Sequence, residues 1–192
     1  MESIAFIATS WASGVNAYLT LLILGVAGRY GWADTPTSLQ QGWVIVAAAI
    51  AYVVEFVVDK VPLLDSAWDA VHTIVRPIVG GLSGVAIAGA SIGKPQAFIA
   101  AAALALTGHA TKATSRLAIN MSPEPFTNII ASVSEDGIVA GLVPLAIAYP
   151  KTSAVVALVA AVVGVVIALM LWRLARRGLR RVRSWVLTTE GR

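Results

Sequence analysis

The chain has 192 residues, of which 58% are apolar and only 12% are charged, and its mean hydropathy is +0.81. This composition predicts an integral membrane protein, and no hydrophilic stretch is long enough to form a separate soluble catalytic domain. The chain has no cysteine, which excludes disulfides, thiolate metal sites and thiol nucleophiles.

The net charge of +4 is concentrated near the end of the sequence. Residues 173–192 contain seven arginines and one glutamate, a charge of +6, which leaves −2 for the remaining residues. Arginines directly after a long apolar segment are typical of a cytoplasmic anchor that faces anionic lipid head groups. We expect this role, and no nucleic-acid binding, for Arg173, Arg176, Arg177, Arg180 and Arg181.

Apolar segments of roughly the 20 residues needed to cross a bilayer predict an all-α protein with about six transmembrane helices. They cover approximately residues 3–27, 42–59, 77–93, 95–116, 135–149 and 152–172. The second segment is predicted to end before Pro62, because proline disfavours helix at the residue that precedes it. The third is rich in small residues, and its Gly80-x-x-x-Gly84 pattern predicts a tightly packed face that is buried or serves a homo-oligomer.

Two shorter segments are predicted to be amphipathic helices that are interfacial or re-entrant. In residues 63–76, the polar positions recur at spacings of 4, 3 and 4 and therefore share one helix face: Asp65, Asp69, His72 and Arg76. A polar linker that contains Asn120 and Glu124 leads to the second short piece, residues 129–133. The sequence thus predicts two polar, proline-broken hairpins, 55–80 and 105–137, on the same side of the membrane.

Six crossings place both termini on one side of the membrane. Lysine and arginine are more frequent on the side of the two hairpins and the tail, which predicts that this side is cytoplasmic. We therefore expect a multi-pass protein of the plasma (inner) membrane, with a single transmembrane domain over residues 1–172 and a basic tail over 173–192.

Charged residues recur at helical spacing in the second and fourth predicted spans. Glu55 and Asp59 follow Tyr52 on one face, and His109, Lys112 and Arg116 form a basic stripe on the other span. Both stripes lie about 20 Å from the outer end of their spans at helical rise. We therefore predict that an acidic and a basic surface face each other inside the bundle.

Two interpretations of these stripes are open. In the structural one, Glu55 or Asp59 pairs with Lys112 or Arg116 and sets the helix register. In the functional one, intramembrane ionisable residues form a pathway for an ion or polar solute. The residues predicted for either role are Glu55, Asp59, Lys60, Asp65, Asp69, His72, Arg76, His109, Lys112, Arg116, Asn120, Glu124, Glu135 and Asp136.

The motifs of common enzymes and metal sites are missing from the sequence. Asp69 and His72 have no third ligand at a metal-binding spacing, and we find no Gly-x-Ser-x-Gly, phosphate-binding glycine loop or dinucleotide fingerprint. We expect no metal, no cofactor and no enzymatic activity.

The two hairpins carry motifs that are specific enough to compare with known families: Glu55-x-x-x-Asp59-Lys60-x-Pro62, Asp65-x-x-Trp68-Asp69-x-x-His72-x-x-x-Arg76-Pro77 and His109-Ala110-x-Lys112-Ala113-x-x-Arg116-x-x-x-Asn120-x-Ser122-Pro123-Glu124-Pro125. They resemble the signatures of bacterial membrane proteins grouped as domain of unknown function 4126, over Gly14 to about Gly137. The resemblance implies a complete single domain in a bacterial plasma membrane and supplies no substrate.

The leading hypothesis is a small, oligomeric transporter or channel-like protein that moves an ion or small polar solute between the hairpins. One alternative is an accessory or scaffold subunit of a larger membrane complex, which small-residue faces and a basic tail would also suit. Another is the handling of phosphorylated lipid carriers, in which the basic stripe would hold the phosphate.

Overall fold

The computed structural model describes residues 3–61, 64–120 and 125–189, with their side chains except at 120, 125, 175 and 177–189. Within this part the chain is all-α. A 3₁₀ turn, Ser3–Ala5, is followed by α1 (Phe6–Val15), α2 (Ala17–Arg29), α3 (Gly42–Val58), α4 (Leu64–Ile92), α5 (Lys94–Asn120), α6 (Pro125–Ala148) and α7 (Pro150–Thr189). Three described segments are long and apolar enough to cross a membrane: Leu64–Ile92, Phe126–Ala148 and Pro150–Leu174.

The first predicted span, residues 3–27, is not one helix. Asn16 separates α1 from α2 with an extended backbone (φ −144°, ψ 102°), and its side chain accepts a hydrogen bond from the Leu19 N–H at 2.9 Å. Asparagine is among the strongest N-cap residues, which explains the new helix start. With 10 and 13 residues, the two halves are about 15 and 20 Å long, shorter than the roughly 30 Å of hydrocarbon.

The prediction of a separate short helix over 63–76 is wrong. Leu64–Ile92 is one helix of 29 residues, and Pro77 lies inside it. An interior proline costs about 3 kcal/mol because it lacks an N–H and crowds the preceding turn. Here the burial of a whole helix face outweighs that local preference.

The second short piece is also part of a longer helix. Residues 129–133 continue into the predicted fifth span as α6, which begins at Pro125 and contains Pro144. Proline is favoured at the first position of a helix, where its missing N–H costs nothing. The two hairpins are therefore formed by long helices, and neither Pro77 nor Pro144 ends one.

Helix α4 turns its polar face inward and its apolar face outward. Asp65, Asp69 and Arg76 are buried, whereas Val71 and Ile74 are 60% and 68% exposed. This is the reverse of a helix on a water-soluble protein and is what a lipid environment favours. The inward face of α4 positions the charged residues that are described below.

Glycine allows α4 to approach α5 closely. A Cβ atom at Gly80 would lie 2.5 Å from Ala105 Cβ, and one at Gly84 would lie 2.2 Å from Ala101 Cβ. A Cβ at Gly14 of α1 would lie only 1.9 Å from the backbone oxygen of Ala105. The small-residue face that we predicted to be buried or oligomeric is thus buried within one chain.

Candidate functional site

A buried group of charged side chains lies where α3, α4, α5 and α6 meet. We refer to it as the charged network; its members are Glu55, Asp59, Asp65, Asp69, Arg76, Lys112, Arg116, Glu135 and Asp136. All are buried except Glu135, whose side chain is 13% exposed. The predicted acidic and basic stripes do face each other, and α4 adds a third set of charges between them.

Arg76 is fully buried at one end of the network. Its contacts connect α4, its own helix, with α1, α3 and α5. Its guanidinium contacts Glu55 Oε1 on α3 at 2.5 Å and Asp69 Oδ1 on α4 at 3.2 Å. It also donates to the Gly14 carbonyl oxygen on α1 at 3.3 Å and to His109 Nδ1 on α5 at 2.8 Å. Arginine suits this position because its planar fork carries five donors.

Lys112 lies between the two acids of α3. Its ammonium is 3.0 Å from Glu55 Oε1 and 2.5 Å from Asp59 Oδ2, and it is 3.9 Å from Glu135 Oε2. The pairs of Lys112 with Glu55 and with Asp59 are two of the pairs that the structural interpretation predicted. Removing one partner of such a buried pair typically costs 3–5 kcal/mol, because the other charge stays behind unpaired.

Arg116 occupies the opposite end and joins α5 to α6. It donates to Glu135 Oε2 at 2.6 Å and Oε1 at 3.2 Å, a bidentate pair, and lies 3.7 Å from Asp59 Oδ2. It also donates to the Asp59 backbone oxygen at 2.9 Å and to the Asn128 side-chain oxygen. All three strongly basic side chains of the network are therefore paired directly with carboxylates.

Both ring nitrogens of each of the two histidines make polar contacts. His109 Nδ1 accepts from Arg76, so the ring proton lies on Nε2, which is 2.9 Å from Thr73 Oγ1. His72 Nδ1 donates to the Trp68 carbonyl oxygen at 2.8 Å, and Nε2 is 3.0 Å from the Tyr18 hydroxyl oxygen. His109 extends the network's hydrogen bonds to Thr73, whereas His72 bonds Trp68 and Tyr18 beside the network.

Asp136 lies at the α1–α2 break, apart from the three cations. Its Oδ1 accepts a hydrogen bond from Asn16 Nδ2 at 2.9 Å, and its Oδ2 is 3.5 Å from the Tyr52 hydroxyl. No lysine or arginine nitrogen of the described side chains lies within 4.0 Å of its oxygens.

Several carboxylate oxygens of the network receive no hydrogen bond from the described residues. They are Glu55 Oε2, Asp59 Oδ1 and both side-chain oxygens of Asp69, although Asp69 Oδ1 is ion-paired with Arg76. Among described residues the network contains six carboxyl groups and three strongly basic side chains. With every group ionised, the network would hold an excess of negative charge.

Lys60 lies beside the network rather than in it. Its ammonium donates to the Phe56 carbonyl oxygen at 2.8 Å, contacts Ser132 Oγ at 3.3 Å, and stands over the Phe56 ring. Desolvation lowers the pKa of Lys60 below its usual value. Asp65 is fully buried and accepts from the Ser66 N–H at 2.6 Å.

Some predicted residues fall outside what the structure describes. Glu124 lies outside the described residues, and so do the side chains of Asn120, Arg177, Arg180 and Arg181. Arg173 and Arg176 are exposed on α7, and the Arg176 guanidinium is 5.1 Å from the Trp172 ring centre.

Four polar residues outside the predicted set also contact the site. From their place in an apolar segment, Asn16 and Tyr18 are predicted to pack and to form interhelical hydrogen bonds, and they bond Asp136 and His72. Asn128, which belongs to the family motif in its continuation past Pro125, accepts from Arg116, and Thr73 contacts His109. Thr73 had no signal of its own, because its role depends on which helix lies opposite.

The described cavities lie away from the network. They have volumes of about 410, 290 and 480 Å³ and are lined by residues such as Leu22 and Pro144, Asp34 and Ile87, and Leu117 and Trp172. No charged-network residue lines any of the three. Groups of three or more histidine, aspartate and glutamate side chains with metal-binding geometry are not found among the described residues.

Comparisons with known proteins are consistent with the motifs of the network. Searches of the curated proteins and of the solved structures found no match. A family model matches residues 4–173, about nine-tenths of the chain, and includes every described member of the charged network. The chain therefore belongs to the family described as domain of unknown function (DUF4126), which confirms the resemblance of its motifs.

Proposed function

We propose that the protein moves small ions across a membrane through the charged network, and that protons are the first candidate. The observation that carries the proposal is the excess of buried carboxyl groups over buried cations. One ion pair would be enough to hold two helices in register. A network of this size, with carboxylate oxygens that lack donors, is the kind of arrangement that marks proton relays in membranes.

Direct contacts between the charged side chains favour protons over a larger solute. The charged side chains contact each other directly, and the three described cavities do not reach them. A proton passes along hydrogen bonds between carboxyl, histidine and tyrosine groups without an open pore. Hydrogen bonds and ion pairs connect seven side chains across the site, in the order His109, Arg76, Glu55, Lys112, Asp59, Arg116 and Glu135.

The proposal includes the predicted membrane, the side on which the basic tail lies and the predicted homo-oligomer. We place the protein in a bacterial plasma membrane, with the basic tail on the cytoplasmic side, where exposed Arg173 and Arg176 would meet anionic lipid. A homo-oligomer would have to use a surface other than Gly80 and Gly84, since both pack against α5 in the same chain.

Proton flux into liposomes tests the proposal. Purified protein is reconstituted with an internal pH dye, and flux is measured after a pH step, with empty liposomes as reference. Wild type is expected to exceed the reference, and Glu55→Gln and Lys112→Met are expected to lose that flux. Lys151→Met is the matched control, because Lys151 is exposed at the start of α7. Wild-type flux equal to that of empty liposomes would refute the proposal.

One observation favours a second candidate function. Arg76, Lys112 and Arg116 are each paired with a carboxylate, which a rigid accessory subunit of a larger membrane complex would also require. Purification in mild detergent separates the candidates. A stoichiometric heterologous partner together with absent ion flux would support the accessory role.

A further inference from the structure

Asp136 differs from the other carboxylates of the network in its partners. The neighbouring residue, Glu135, receives two hydrogen bonds from Arg116, whereas Asp136 is held by the neutral groups of Asn16 and Tyr52. It is only 8% exposed. A buried carboxylate without a nearby cation loses hydration and gains little in return.

The charges that face Asp136 come from several elements and have both signs. Lys112 on α5 favours the ionised form, whereas the like charges of Asp59, directly after α3, and Glu55, within α3, disfavour it. Lys60 follows α3 and also faces Asp136. Helix α7 carries no charged residue between Lys151 and Arg173.

The partners of Asp136 suit both protonation states. Asn16 is fixed in orientation, since its side-chain oxygen caps α2 through Leu19 while its amide nitrogen donates to Asp136. The Tyr52 hydroxyl can donate to an ionised carboxylate or accept from a protonated one. Adding or removing a proton therefore requires only the rotation of one hydroxyl.

We infer that Asp136 is the carboxyl group that binds and releases the transported proton. The inference rests on the proposed function, of which it names the exchanging residue. The ion pairs of Arg76, Lys112 and Arg116 then form the fixed part of the network, and Asp136 with Asn16 and Tyr52 forms the part that changes protonation.

Asp136→Asn tests this inference by flux and by infrared spectroscopy. The variant is expected to reduce proton flux in liposomes by at least about tenfold. It should also remove the carbonyl band of a protonated carboxylic acid from the pH-difference spectrum. Asp34→Asn, which changes an exposed carboxylate in the α2–α3 loop, should keep both the flux and the band.

The possible failures are distinguishable. Normal flux in Asp136→Asn, or an unchanged carbonyl band, overturns the inference and leaves the proposed function standing. Absent flux in the wild type overturns the proposed function, and the inference with it. If Asp136→Asn does not fold, Asp136→Glu decides: a shifted pH profile of flux supports the inference, and a profile identical to that of the wild type contradicts it.

Discussion

Replacing Gly108 with alanine is expected to destabilise the protein, although alanine is the better helix former. Gly108 lies in α5 beside α1, and an added Cβ would be 2.3 Å from the Trp11 carbonyl oxygen and 3.2 Å from Gly14 Cα. Ordinary contacts begin at 3.4 Å, so α1 and α5 must separate by about 1 Å. The obstructing atoms are backbone, which no rotamer change can move.

The magnitude follows from two opposing effects. Alanine in place of glycine in a helix interior gains about 0.8–1 kcal/mol, and forcing an extra carbon into a close-packed contact costs about 1–3 kcal/mol or more. We expect a net loss of up to about 2 kcal/mol. The separation of α1 would also lengthen the 3.3 Å hydrogen bond from Arg76 to the Gly14 oxygen.

Gly141→Ala is the matched control for this prediction. Gly141 lies in α6, and a Cβ added there meets no atom within 4 Å, so this variant should gain about 0.5–1 kcal/mol. Reversible unfolding in mixed detergent micelles measures both free energies of unfolding. A Gly108→Ala variant as stable as Gly141→Ala would refute the close approach of α1 and α5.

Two further variants test the charged site. Arg76→Met should lose about 3–5 kcal/mol in the same unfolding assay, because Asp69 and Glu55 stay buried with fewer partners. Arg29→Met is the control; it loses one exposed hydrogen bond to a backbone oxygen and should change the free energy of unfolding by less than about 0.5 kcal/mol. Equal effects of the two variants would contradict the buried pairing. Asn16→Ala should lose at least about 1 kcal/mol, because it removes both the α2 cap and the hydrogen bond to buried Asp136; an unchanged free energy of unfolding would contradict both contacts.

Helix boundaries could be predicted from the sequence where a proline lies at the start of the next helix. The predicted spans change from 77–93 to 95–116 and from 135–149 to 152–172, and helices α5 and α7 begin between them at Lys94 and Pro150. Pro77 was predicted to separate two elements and does not. Its local cost of about 3 kcal/mol is smaller than the free energy of packing a helix of 29 residues.

The residues of the site could be predicted from the sequence, but only some of their pairs could. Helical spacing placed Glu55, Asp59, Lys112 and Arg116 on facing stripes, and the structure pairs them. Arg76 was assigned to a short interfacial or re-entrant helix and no pair with Glu55 was predicted for it, yet it forms the 2.5 Å pair with Glu55. That error follows directly from treating residues 63–76 as a separate helix.

The sequence by itself determined that this chain is helical and apolar, which family it belongs to, and which rare charged residues must be buried together. These properties depend on composition and on spacing along one helix, and both are local. Only the tertiary structure decided that Asn16 breaks the first apolar segment beside Asp136 and that three cations are paired while Asp136 is not. Such relations depend on which side chains of different helices lie next to each other. The close approach of α1, α4 and α5 at their glycine residues decides this.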